Sequence, residues 1–481
     1  MNKLQTSRYL QTIKRKNDYA VYHSLFGNLS LLDAEGYKLL QSFNRPLTSS
    51  EVISTIPKYD PVLLIHYINN LLSRGFLTTE GADEYALIEK DYQYRKKKFH
   101  SGYLLRALQL VMTNKCNFNC DYCFVKTIYN SKERSILQYR ATNMNMSFEI
   151  AKAAIEKLIK ISLKNGNQEL YIEFFGGEPL LNWKVIKQVL DTFRNGKTHD
   201  VTLQYSITTN GSIITAEMAE VFKKHGVTVT VSVDSFALNE KSQSTCAKGN
   251  GRVEQGLKIL KEKNNWVTFN SVISKETLDS FDESILIEKA QHYNAAMVGI
   301  ILDLDLAFYK NAAVMETALQ KLWKTYRLGQ QEGIPVVGYW HQIFQHITGK
   351  QATRLSSGYK TCPAAGCKLS IEPEGHVFIC KCCSTRIGHI NDIEKTLHSP
   401  LYKMYAMQAY RNAPECAGCE IEGFCSGVCM GALERKYNKI DTIENNICTI
   451  YKKITRKLIE NINVHEAVTL PLAQPVEKQL L

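Results

Sequence analysis

No stretch of this 481-residue sequence stays apolar over the roughly 18 residues that a membrane-spanning helix needs. Its opening, MNKLQTSRYLQTIKRKNDYA, lacks the apolar centre of a secretory signal. The cytoplasm is therefore the expected compartment, and no membrane partner is expected. Low-complexity tracts are missing, and no internal repeat shows beyond an alternation of strand-like and helix-like segments. A concentrated basic patch is missing too. The net charge is +12, yet the basic residues are dispersed. Their one compact run, YRKKKFH at 94–100, reads as part of a solvated linker. Charge alone does not choose between nucleic acid and an acidic peptide as partner. Hydrophobic residues at 44% and charged residues at 22% are ordinary for a globular chain with room for two or three domains.

Cysteine is what the sequence has in excess. Of 14 cysteines, three lie at 116–123, ten lie at 362–448, and Cys246 stands alone, read as a buried structural thiol. In a reducing compartment, clustered cysteines signal metal or redox sites. The stretch KCNFNCDYCF supplies Cys116, Cys120 and Cys123 without the fourth nearby ligand of a zinc knuckle.

Three blocks organise the chain. In residues 1–84, YAVYHSLFGNLSLL alternates around a Gly-Asn turn and predicts a hairpin. Helices follow at DAEGYKLLQSF, SSEVISTI and PVLLIHYINNLLSRG; in the last, Leu64, Ile68, Leu71 and Leu72 recur at helical spacing and Gly75 can cap the end. Two strands and three short helices make a winged-helix-like unit. Residues 85–104 read as a linker. Residues 105–333 alternate six strands (LRALQLVMT, ELYIEFF, VTLQYSIT, VTVTVSV, WVTFNSVI, AAMVGIIL) with amphipathic helices. The first helix puts Ala151, Ala154, Ile155 and Leu158 on one face; others are expected at 182–194, 215–225, 251–263, 280–293 and 314–332. The expected fold class is α/β, an open or partial (β/α)6 barrel of parallel strands with its chemistry at their carboxyl ends. Residues 334–450 form a cysteine-rich third domain, and 451–481 a basic helix with a polar tail.

Three thiolates can hold three irons of a [4Fe–4S] cluster and leave the fourth open. Cys-x3-Cys-x2-Cys on a loop after a first barrel strand resembles the signature of the radical S-adenosylmethionine (radical SAM) enzymes, and Tyr122 fits the motif's aromatic position. The resemblance implies that Cys116, Cys120 and Cys123 carry the cluster. It also implies that S-adenosylmethionine chelates the open iron and is cleaved to a 5′-deoxyadenosyl radical. FFGGEPLL, 174–181, ends the second strand. Its glycines let backbone approach a ligand closely, and the resemblance carries contact with the cofactor's amino group onto Gly176, Gly177, Glu178 and Pro179. TTNG at 208–211 and SVDS at 232–235 end the third and fourth strands. Asn210, Ser232 and Asp234 are candidates for the cofactor's ribose and carboxylate, against turn or capping roles. No catalytic residue is singled out.

The distal cysteines are similar to the SPASM extension of radical enzymes that modify peptides, which houses two auxiliary [4Fe–4S] clusters. That pattern assigns Cys362, Cys367, Cys380 and Cys429 to one cluster and Cys416, Cys419, Cys425 and Cys448 to the other. Three clusters per chain are thus implied, with Cys382 and Cys383 surplus. Cys-x2-Cys pairs also build zinc ribbons. A winged helix usually suggests DNA, but PVLLIHYINNLLSRG carries one Arg and no Lys, so nucleic acid is disfavoured. The unit looks like the recognition domain fused to many peptide-maturing enzymes, where a leader peptide adds a strand to the small sheet.

These resemblances imply a radical SAM maturase. It would take a hydrogen from a ribosomal precursor peptide and install an intramolecular crosslink, either thioether or carbon–carbon. The implied partners are the precursor's leader and core and an electron donor such as flavodoxin or ferredoxin. Formylglycine formation, as in sulfatase maturases, is a rival; those enzymes carry an acidic residue where Lys381 stands. Peptide epimerisation is a second rival, and a non-enzymatic iron–sulfur leader-binding adaptor a third.

Overall fold

The computed structural model describes residues 2–120, 123, 125, 144–194, 196–198, 200–233, 250–304, 306–349, 362, 364–408, 414–463, 465 and 467–472. The chain opens with β1 (Leu4–Thr6), β2 (Leu10–Lys14), β3 (Tyr19–His23) and β4 (Gly27–Leu32). The β3–β4 turn is Ser24, Leu25 and Phe26, and β4 opens on Gly27 and Asn28, both left-handed at φ 79° and 61°. Next come α1 (Ala34–Gln41), α2 (Ser49–Ser54) and α3 (Pro61–Ser73), then β5 (Leu77–Thr79). Each helix start is written in the sequence. Asp33 caps α1, Thr48 and Glu51 form a capping box on α2, and Asp60 with Pro61 opens α3. Gly75, at φ 75°, follows the last turn of α3.

The predicted hairpin is present but belongs to a larger sheet. β2 pairs antiparallel with β3 and β3 with β4, while β1 and β5 pair antiparallel as a separate two-stranded sheet. β1 and β2 escape a reading by sequence pattern because their alternation is weak: in β2 only Ile13 is buried. The segment expected to be a linker holds α4 (Ala86–Lys98), which buries little besides Ile88 and Arg95 and so shows no apolar stripe.

All six expected strands of the central block are formed. They are β6 (Ala107–Thr113), β7 (Glu169–Gly176), β9 (Val201–Thr209), β10 (Thr228–Ser232), β11 (Val267–Ile273) and β12 (Val298–Leu302). Between them run α5 (Phe148–Lys164), α6 (Trp183–Phe193), the short β8 (Gly196–Thr198), α7 (Ala216–Lys224), α8 (Asn250–Glu262) and α9 (Glu283–His292). Then follow α10 (Ala312–Gln331), β13 (Val336–Val337) and α11 (Tyr339–Ile347). The six strands lie parallel in the order β6-β7-β9-β10-β11-β12, with β13 parallel beyond β12. The sheet does not close on itself: it runs from β13 to the cysteine-rich block.

That block continues the sheet. β14 (Lys368–Ile371) pairs parallel with β6, and β15 (His376–Phe378) and β16 (Gly388–His389) follow antiparallel. Then come α12 (Ile393–His398), α13 (Pro400–Gln408), α14 (Met430–Tyr437), α15 (Asn445–Glu460) and β17 (Val468–Leu470). β17 returns to the N-terminal sheet and pairs parallel with β4.

Packing ties the blocks together. Ala20, Tyr22, Leu29 and Leu31 belong to the main core of sheet and helices, whereas Val21 and Leu32 face the core under α1 and α3. Gly423 donates its N–H to the Ser24 carbonyl at 2.8 Å, and a Cβ there would lie 2.2 Å from the Leu25 carbonyl oxygen. Among the described residues, no helix is long and apolar enough to cross a membrane.

Candidate active site

The strands explain the site's position. In β7 alternate residues are buried under the helices (Leu170, Ile172, Phe174) while Glu173 and Phe175 face the other way. Neighbouring strands keep this register: Gln109 lies opposite Glu173, and Glu173 opposite Ser206. The face turned away from the helices is therefore polar. Gln109 Nε2 donates to Glu173 Oε2 at 3.1 Å, Lys368 Nζ donates to the same oxygen at 2.6 Å, and the Thr230 and Thr268 hydroxyls share a 2.9 Å hydrogen bond. Sequence reasoning missed this row, although polar residues at alternate positions of strands such as ELYIEFF are its signal. Lys381 reaches the same region, its ammonium 4.7 Å from the Phe175 ring centre and its N–H given to Gln109 Oε1.

At the carboxyl ends of β6, β7 and β9 the cysteine loop, the Gly-Gly-Glu-Pro turn and the Thr-Thr-Asn-Gly turn meet. Gly177 N donates to Thr113 O and Glu178 N to Lys115 O, both at 2.8 Å. A Cβ on Gly176 would sit 2.5 Å from Thr113 O, and one on Gly177 would sit 2.2 Å from Lys115 O. What the glycines admit is thus the backbone that launches the cysteine loop. Pro179 opens a buried 3-10 turn.

Glu178 is fully buried. Its Oε1 accepts from Leu180 N at 3.1 Å and Thr209 Oγ1 at 2.7 Å; its Oε2 accepts from Asn210 N at 2.7 Å. Burial pushes this carboxyl up to about 7, and the three hydrogen bonds pull against that shift. A carboxylate offers about four acceptor positions, and these hydrogen bonds occupy three of them. Asn210 Nδ2 donates to Asn117 Oδ1 at 2.8 Å, and Asn117 Nδ2 donates to Ser212 Oγ at 2.9 Å. Burial raises the Cys116 thiol above its ordinary range, and the neighbouring Asn210 side chain pulls against that shift. Cys123 is near enough to Cys116 to act on its charge, and its N–H is given to Cys120 O at 3.3 Å. Ser232 ends β10 on the same edge of the sheet. Tyr122, Asp234 and Cys246 lie outside the described residues.

The distal cysteines gather in two groups. Cys382 lies close enough to Cys380 and Cys429 to lower both thiols below their ordinary range. Cys362 feels both Cys429 and Cys380. Cys382, surplus by spacing, is thus inside this group. Cys367 acts on Tyr103, Arg106 and Tyr402, whereas Lys368, the next residue, faces Cys380 and Cys382. In the second group Cys416 and Cys419 act on Cys448, and Cys425 Sγ accepts from Gly427 N at 3.3 Å. Among the described residues no three His, Cys, Asp or Glu converge on one metal ion. An iron–sulfur cluster asks something different, a separate iron for each thiolate, and an all-thiol donor set fits that chemistry.

An open parallel α/β sheet, a three-cysteine loop at its carboxyl edge and a glutamate brace beside it define a radical SAM enzyme. The Radical SAM superfamily pattern matches residues 110–286. The chain is 38% identical over 458 residues to the radical SAM cyclopropyl synthase TigE of Paramaledivibacter caminithermalis, covering 95% of this chain and 96% of TigE. The chain therefore belongs to the radical SAM superfamily. It is also 23% identical over 381 residues to a cysteine-type anaerobic sulfatase-maturating enzyme of Clostridium novyi, across 75% of this chain and 97% of that one. Among solved structures, anSMEcpe with bound AdoMet superposes with a TM-score of 0.57 at 18% identity, over 75% of this chain and 97% of its own. Streptococcus suis SuiB bound to precursor peptide SuiA gives a TM-score of 0.50 at 15% identity, over 92% and 99%.

Proposed function

We infer that this enzyme closes a carbon–carbon bond within a ribosomally made precursor peptide, forming a cyclopropane ring on a side chain. The carrying observation is the 38% identity to a cyclopropyl synthase along 95% of the chain. It supports the carbon–carbon form of the expected crosslink over the thioether form.

The residues support division of labour. Cys116, Cys120 and Cys123 would hold a [4Fe–4S] cluster, with Gly176, Gly177, Glu178, Pro179, Asn210, Ser232 and Asp234 around S-adenosylmethionine. The free acceptor position of Glu178 suits the cofactor's ammonium group. Cys416, Cys419, Cys425 and Cys448 would hold a second cluster, and Cys362, Cys380 and Cys429 a third. The family pattern adds Cys367 to that third set; the side-chain neighbours favour Cys382 in its place. When bound, these groups would supply the hydrogen-abstracting deoxyadenosyl radical and an acceptor for the electron that ring closure releases, with a donor such as flavodoxin or ferredoxin supplying the electron that starts the first turnover. The polar row around Gln109 and Glu173 faces the space a core peptide would occupy, and holds it still enough for the two carbons to meet.

Ring closure between two C–H carbons removes one hydrogen atom, one proton and one electron. The product mass should fall by about 2 Da per ring with one deoxyadenosine formed. High-resolution mass spectrometry of the precursor checks this. Unchanged mass would mean epimerisation and defeat the ring assignment. Replacing Cys116, Cys120 and Cys123 together by Ala should abolish deoxyadenosine while leaving iron at the distal cysteines.

A further inference from the structure

The outer edge of β4 is covered by the chain's own end. Val468, Thr469 and Leu470 of β17 pair with Ser30, Leu31 and Leu32. Two side chains reach the tail's backbone: Tyr67 Oη donates to Leu470 O at 2.9 Å, and Leu472 N donates to Asp33 Oδ2 at 3.2 Å. Leu472 is 7% exposed and joins Leu32, Leu39, Leu64 and Leu71 in the small core, with Leu470 partly buried beside them. Val468 remains exposed.

This groove is built to hold an extended backbone. The Tyr67 ring is buried, and a side chain at Gly36 would collide with its hydroxyl at 2.1 Å, so α1 keeps a glycine where the hydroxyl must pass. That hydroxyl is spent on a peptide carbonyl, and a buried donor left without an acceptor destabilises the fold. Asp33 divides its oxygens, Oδ1 capping α1 through Gly36 N and Oδ2 taking the tail. The groove reads backbone plus two apolar residues spaced two apart, which is the chemistry of strand addition. The bound segment is only three paired residues long and is tethered a few residues after α15. Its occupancy rests on a local concentration in the millimolar range, as for any short tether. Leu63, one turn before Tyr67 on the same helix face, is 45% exposed and extends the apolar wall.

We propose that residues 468–472 act as a displaceable occupant of the groove between β4 and α3, the sheet edge at which the precursor's leader would add its strand, so that the chain's own segment competes with the substrate for that edge. The tail then sets a threshold: a precursor segment of the form apolar-x-apolar must bind well enough to evict it. The proposal rests on the reading of the substrate as a peptide.

The test uses the full-length holoenzyme and a fluorescent synthetic peptide of residues 465–474, HEAVTLPLAQ. A Leu470→Asp, Leu472→Asp double variant, with its tail released, should bind this probe about tenfold tighter than the wild-type chain, and adding Tyr67→Phe should weaken that binding. Equal affinity for wild type and variant overturns the proposal. Wild-type protein supplies a second reading that needs no variant to fold. With excess unlabelled probe, the amides of residues 468–470 and 472 should exchange hydrogen faster while those of residues 28–32 stay protected; unchanged tail protection overturns the proposal. A precursor product of lowered mass, formed at equal rates by wild type and tail variant and not inhibited by probe, would leave the peptide-maturase reading standing and remove this one. Probe exchange with no peptide product would do the reverse.

Discussion

Glu178 and Asn210, 32 residues apart in sequence, are joined by a 2.7 Å hydrogen bond from the Asn210 backbone to the buried carboxylate. The contact locks the end of β7 to the end of β9, and the Asn210 side chain passes the constraint on to Asn117 in the cysteine loop.

Glu178→Gln should break this lock. The amide keeps one acceptor but points a second donor at either the Asn210 N–H or the Thr209 hydroxyl. Orphaning one buried donor costs about 1–3 kcal/mol. The urea midpoint should fall accordingly, and deoxyadenosine formation should drop by about tenfold or more as the cysteine loop loses its register. Wild-type values for both would show that the brace is dispensable.

The distal cysteines give a sharper contrast. Cys382→Ala should remove about four irons from the chain, because its thiol lies between Cys380 and Cys429. Cys367→Ala is the matched comparison and should leave the iron count unchanged, Cys367 being close enough to Tyr103 and Tyr402 to act on their hydroxyls. Iron analysis of the two purified variants decides; the opposite result restores Cys367 as the ligand.

Gly423→Ala should loosen the N-terminal unit from the cysteine-rich block. A methyl 2.2 Å from the Leu25 carbonyl oxygen forces backbone to move. Overpacking of this kind costs about 1–3 kcal/mol. Thermal unfolding should begin lower, and hydrogen exchange should rise at residues 22–25. The same contact means that deleting residues 1–84 exposes part of the main core, so point substitutions are the cleaner probe of peptide recognition.

His341 predicts an acid limb in stability. Burial beside Tyr326 and Phe344 holds its imidazole down at about 4. The unfolded chain then binds the extra proton first. This contribution is complete above the unfolded value of 6.5 and is lost as pH falls from there towards 4. Every tenfold difference in proton affinity between the folded and unfolded chain is worth about 1.4 kcal/mol. His341→Leu should flatten the decline of the urea midpoint over that window; an equally steep decline in the variant would remove His341 as its source.

Local rules carry much of the fold. Period-two runs locate the six parallel strands, and capping residues such as Asp33, Thr48 and Asp60 fix where α1, α2 and α3 begin. Spacing alone singles out Cys116, Cys120, Cys123 and the Gly-Gly-Glu-Pro turn, because ligand loops and tight turns are contiguous in sequence. Tertiary structure decides what joins distant segments. No local pattern reveals that the carboxylate of Glu178 is engaged by Thr209 and Asn210, or that Gly176 and Gly177 make way for Thr113 and Lys115. Nor does spacing show that Cys382 sits with Cys380 and Cys429, because Cys429 lies 47 residues further along the chain and only the fold brings it there. β17 is the clearest case. Its three residues carry too little periodicity to be read as a strand, and they become one only because β4 presents an open edge beside Tyr67 and Asp33.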